Sequence, residues 1–121
     1  MIWILLAAAS STFDADERFC QIDALHQGYQ FCMAEREYER ADKRLNMQWA
    51  HTYGYVRTHK GKAAAFNMRL EQRAWLKKSD RRCGDLARTM RAPYQGDTYD
   101  RCLTELYDQR SAKLRAMNGS K

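Results

Sequence analysis

The chain has little of what makes turns. One proline, Pro93, and six glycines serve 121 residues, too few for a β-sandwich or barrel, which needs turn residues roughly every 8–12 positions. Long hydrophobic runs are also missing. The opening MIWILLAAA is the most apolar stretch and falls far short of the about 20 residues that span a bilayer, so the chain reads as not transmembrane. There is no glycine-rich phosphate loop and no G-x-S-x-G elbow. His26, His51 and His59 stand at no useful ligand spacing from each other or from a cysteine, and the eleven residues between Cys20 and Cys32 exceed the two to four of a zinc knuckle. These absences leave no metal, no cofactor and no catalytic residue to assign, and the chain reads as a binder and not an enzyme.

What is present is sulfur and helix. Cys20, Cys32, Cys83 and Cys102 are the only cysteines. An even count in a short chain that opens on an apolar run points to two disulfides and an oxidising compartment. Residues 1–11 resemble the apolar core and small-residue end of a truncated-looking secretory leader, lacking its basic start. Residues 12–121 then form one domain, periplasmic or secreted.

Apolar residues recur at helical spacing in three stretches. The first runs from about 23 to 59, with the stripe Phe31, Ala34, Tyr38, Ala41, Leu45, Trp49 and Val56, Asp23 as N-cap and Gly61 as stop signal. The second runs from about 62 to 90 through Phe66, Leu70, Ala74, Leu76, Cys83, Leu86 and Met90. RAPYQGDT at 91–98 reads as a loop, and the third helix as 99–117 with Cys102, Leu103, Leu106, Arg110, Leu114 and Met117 inward, capped by Asp97 or Thr98. The expectation is an all-α, three-helix antiparallel bundle of long helices stapled by two disulfides. Four cysteines allow three connectivities. Cys20 would fold the N-terminal segment back on Cys32, and Cys83 and Cys102 flank one short turn between antiparallel helices, so nearest-neighbour pairing is the choice.

The net charge is +6, but residues 57–91 carry eleven basic and three acidic side chains. Arg69, Arg73, Lys77 and Arg81 follow at four-residue steps and share one ridge. Such a ridge suits an anionic glycan or lipid surface; nucleic acid is not indicated, since no recognised module accompanies the charge. Glu35, Glu37, Glu39 and Asp42 alternate with Arg36, Arg40, Lys43 and Arg44 as a solvated charged face.

Several segments resemble the lysozyme-inhibitor LprI-like family. Ala41-Asp42-Lys43-Arg44-Leu45-Asn46-Met47-Gln48-Trp49 is similar to its A-D-x-x-L-N-x-x-aromatic motif. Gln72-Arg73-Ala74-Trp75-Leu76, with Asp80 and Cys83 after it, is similar to its Q-R-x-W segment. Cys102, Leu106, Arg110 and Leu114 fit its closing C-x-x-x-L-x-x-x-R-x-x-x-L pattern. The resemblance spans about residues 20–115. It implies a secreted or periplasmic, disulfide-bonded helical domain that acts by protein contact in the cell envelope, a lysozyme being the named target. The motif residues are Asp42, Leu45, Asn46, Trp49, Gln72, Arg73, Trp75, Asp80 and Arg110. Most of them read as helix packing, with Asn46 bonding across to the second helix. Because animal-type lysozymes are basic, an inhibitor at +6 needs either a local acidic patch, such as Glu35, Glu37 and Glu39, or an acidic target.

Overall fold

A computed structural model describes residues 15–21 and 28–118. The leader at 1–11, the N-cap expected at Asp23, and His26 lie outside these residues. The described residues form four helices and no strand: α1 over 15–21, α2 Tyr29–Lys60, α3 Lys62–Arg88 and α4 Tyr94–Met117. The described residues are all-α; the expected count of three becomes four, because residues 15–21 are themselves helical and dock on α2.

Consecutive long helices run antiparallel, whereas α2 and α4 run parallel. The contacts Phe31–Tyr94, Tyr38–Tyr107 and Thr52–Leu114 advance along both helices in the same direction. These two helices share the most extensive interface. The α2 stripe is inward as periodicity requires, with Ala34, Ala41, Leu45 and Val56 buried. Thr52 joins them without polar cost, because its hydroxyl donates to the Leu114 carbonyl at 3.1 Å and accepts from Gln48.

One residue separates α2 from α3. Gly61 adopts φ 96°, ψ 171°, a region that residues with a Cβ essentially never enter, and its N–H returns to the Arg57 carbonyl. This single residue sets which side of α3 faces α2.

That side is not the one the apolar spacing indicates. Phe66, Leu70, Leu76, Leu86 and Met90 are exposed, while Ala65, Met68, Gln72, Ser79, Cys83 and Ala87 are buried. Small and hydrogen-bonding residues occupy the inward face, and the bulky ones sit beside or outside it.

The connector before α4 is shorter than the expected loop at 91–98, because α4 begins at Tyr94. Proline is at home ahead of a helix, where its missing N–H has no partner to lose. Gln95 donates to the Met90 carbonyl, and Tyr94 packs on Phe31 at 6.0 Å, which anchors the first turn. Asp97 therefore lies inside the first turn, paired with Arg101, rather than capping it.

Disulfides join Cys20 to Cys32 and Cys83 to Cys102, with Cα separations of 5.4 and 5.5 Å. The first holds α1 against α2, where the buried Asp16 lies between the guanidinium groups of Arg36 and Arg40. Arg36 also stacks on Phe19. Cys32, Arg36 and Arg40 share one face of α2 at four-residue steps, which places both arginines beside the bridged segment.

Candidate functional site

The centre of the bundle is polar at one point. Arg110 of α4 is only 5% exposed. Its Nε donates to Gln72 Oε1 at 2.8 Å, its Nη2 lies 3.7 Å from Glu71, and its guanidinium sits 5.2 Å from the Trp75 ring centroid. Trp75 in turn contacts Tyr107 at 5.7 Å, and Tyr107 contacts Tyr38 at 5.6 Å. Burial, then the hydrogen bond with Tyr38, pushes the Tyr107 hydroxyl well above its ordinary pKa. A ladder of planar groups thus crosses α3, α4 and α2, and it explains why an arginine and a glutamine occupy core positions.

Above this ladder a cleft of about 400 Å3 opens between α2 and α3. Asp42, Asn46 and Trp49 of α2 form one rim and Arg69 and Arg73 of α3 the other; Leu45, Gln72, Leu76 and Tyr107 line the rest. The first motif and part of the second, far apart in the chain, therefore meet in one place. Asn46 does not reach across to α3: its amide donates to Asp42, one turn back, at 3.4 Å. Trp49 packs on Tyr53 at 5.6 Å. Arg69 donates to the Tyr53 hydroxyl at 2.8 Å and lies over the same ring.

The remaining motif residues sit elsewhere. Trp75 and Arg110 belong to the ladder. Asp80 accepts from the Tyr99 hydroxyl beside the Cys83–Cys102 bridge, and that hydrogen bond is the main reason Tyr99 is pushed up to about 12. Tyr99 and Tyr107 carry much of this architecture without having been singled out from the sequence; each lies one turn from Leu103, an expected inward position of α4.

Arg69, Arg73, Lys77 and Arg81 are all exposed along α3. Arg73, Lys77 and Arg81 make no ion pair or hydrogen bond among the described residues. Opposite charge gathers where α2 and α4 meet. The Asp100 carboxyl is pushed above the usual carboxylate range by burial first, then by Glu35, Asp97 and Glu39. Glu35 and Glu39 thus join an acidic edge with α4, while Glu37 is exposed outside it. A larger groove of about 580 Å3 also lies between α2 and α4, but its polar groups are largely engaged: Arg44 holds Asp108 through two 3.1 Å bonds and Arg115 donates to Gln48. The motif cleft has more unused hydrogen-bonding capacity and is the stronger candidate. Among the described residues, no three His, Cys, Asp or Glu side chains converge as a metal site would require, and no helix is long and apolar enough to cross a membrane.

The family model for lysozyme inhibitor LprI matches residues 20–114 of the chain. No curated protein and no solved structure matches it.

Proposed function

The chain belongs to the lysozyme inhibitor LprI family, and on that premise we propose that it is an exported protein-binding domain, residues 12–121, that engages a lysozyme in the periplasm or outside the cell. Two disulfides suit an oxidising compartment. The observation that carries the reading is the acidic edge of Glu35, Glu39, Asp97 and Asp100. Glu35, Asp97 and Glu39 lie close enough to Asp100 to add to the effect of burial in raising its pKa, so negative charge is concentrated there despite a net charge of +6, and this edge supplies the complementarity that a basic enzyme needs. The domain acts by occlusion and contributes no catalytic group. Mixed at micromolar concentration with a panel of lysozymes, the oxidised protein slows cell-wall lysis by at least one member, and Glu35→Lys with Glu39→Lys weakens that effect. Undiminished lysis by every member discards the reading.

A second reading rests on a different observation: Arg73, Lys77 and Arg81 are exposed and unpaired among the described residues. Surface cations in such a row engage an anionic glycan or lipid surface through forces that salt screens. Retention on acidic wall polymers or anionic liposomes should vanish in high salt and in the Arg73→Glu, Lys77→Glu variant; unchanged retention rejects it.

A further inference from the structure

We infer that the cleft between α2 and α3 is a binding site for a carboxylate-bearing sugar residue of an acidic glycan. The inference deepens the second reading above, on which it rests for ligand class, and moves the specific contact from the ridge into the cleft.

The first argument is an unused donor. Gln72 is 7% exposed. Its Oε1 is taken by Arg110 at 2.8 Å, which fixes the amide orientation, and its Nε2 then has no partner among the described residues while the side chain lines the cleft. That nitrogen is reachable from the cleft rather than sealed in the core, so a ligand oxygen entering there can accept from it in place of water. The Arg73 guanidinium and the Trp49 indole N–H lack partners among the described residues too. Arg69, by contrast, is held in place by its bond to and stacking on Tyr53, so one cation is fixed and the other free to close.

The second argument is the balance of charge and acceptors. Two guanidinium groups face one carboxylate, Asp42, across the cleft, so the complementary ligand carries a negative charge. A carboxylate accepts two parallel bonds from a guanidinium. The opposite rim is an acceptor edge, the Asp42 carboxylate beside the Asn46 amide oxygen, and such an edge accepts from hydroxyl donors. A glutamate or aspartate side chain of a partner protein would satisfy the arginines and leave that edge unused; a sugar acid satisfies both. The half-buried face of Trp49 offers a stacking surface for the apolar side of the ring. A space of about 400 Å3 lies within the range of small-ligand sites and suits a ring with its substituents.

The test uses the full oxidised chain and three probes: a hyaluronan-derived tetrasaccharide, the same tetrasaccharide with its carboxyl groups reduced to alcohols, and an acetylated tetraglutamate peptide. Binding is measured by calorimetry and by the shift of the Trp49 indole N–H resonance. The carboxylated saccharide should bind and move that resonance. Carboxyl reduction, Arg73→Gln and Asn46→Ala should each weaken binding about tenfold, as loss of one charge-assisted or buried hydrogen bond implies; Arg81→Glu should change it less than about twofold. The inference is overturned if the saccharide does not bind, if its reduced form binds equally, if the peptide binds as well as the saccharide, or if Arg73→Gln and Asn46→Ala leave affinity intact. Loss of binding in Arg81→Glu together with unchanged affinity in the two cleft variants overturns the cleft and leaves the ridge reading standing.

Discussion

The two faces of α3 are built from opposite materials to those expected of an inside and an outside. Its fully buried positions are Ala65, Gln72, Ser79 and Ala87 with the larger Met68 and Cys83, and the half-buried Trp75 packs on α4 beside them; its outward side carries Phe66 and Leu70 among four cations. Small residues let α3 lie close to both neighbours, and the Gln72 carbonyl oxygen accepts from Arg110 across the interface. What defines this interior is therefore complementarity more than hydrophobicity. The outward face, free of that constraint, holds Arg73, Lys77 and Arg81, which make no ion pair or hydrogen bond among the described residues, beside Arg69, which rests on Tyr53.

The most damaging way to break the inward face is to cut its covalent end. Cys83→Ala with Cys102→Ala releases a bridge spanning 19 residues, and denaturant unfolding should show a loss of about 3 kcal/mol. The matching change at Cys20 and Cys32 opens a shorter span of 12 residues and releases only α1. Its effect should be smaller in global unfolding, and hydrogen exchange should rise mainly in residues 15–21. Equal global losses at the two bridges would show that α1 belongs to the same cooperative unit as the bundle.

The next test asks whether the polar centre is needed for its charge or for its volume. Arg110→Ala removes the partner of Gln72 and the group stacked on Trp75, and should cost about 2–3 kcal/mol. Arg110→Met keeps the stem and much of the packing, and should cost about 1 kcal/mol. If methionine is as harmful as alanine, the hydrogen bond and not the filling is what holds α3 to α4. Gly61 tests how the two faces are assigned in the first place. Nothing lies within 4 Å of a Cβ built there, so Gly61→Ala meets no clash and is opposed by backbone strain alone, about 1–2 kcal/mol in thermal or chemical unfolding.

Much of this was legible in the chain, and the failures have definite causes. The α2 stripe at Ala34, Ala41, Leu45 and Val56 could be read because one helix face meets the core with apolar residues throughout. The same rule misassigned α3, since Gln72 is inward for a reason that lies on α4, 38 residues away at Arg110. The start of α4 was hidden because Pro93 and Gly96 are breakers in a helix interior and harmless at its entrance. At the candidate site, a sequence resemblance supplied Asp42, Asn46, Trp49, Gln72 and Arg73; their meeting in one cleft needed the α2–α3 turn. The acidic edge was half visible in Glu35 and Glu39, and its other half, Asp97 and Asp100, depends on α2 and α4 running parallel.

The smallest effect concerns the outward face and has the opposite sign. Arg73, Lys77 and Arg81 repeat at four-residue steps on one exposed ridge, and like charges so placed repel by a few tenths of a kcal/mol per pair. Lys77→Glu converts two repulsive neighbours into two attractive ones. The variant should therefore be more stable than the parent by about 0.5 kcal/mol at low ionic strength, with the gain shrinking as salt screens it. A gain would mean that the ridge weakens the fold that carries it, so that its cations are explained by what they touch outside the molecule. A loss would mean that Lys77 contributes to folding, and the contrast between the two faces of α3 would no longer separate packing from contact.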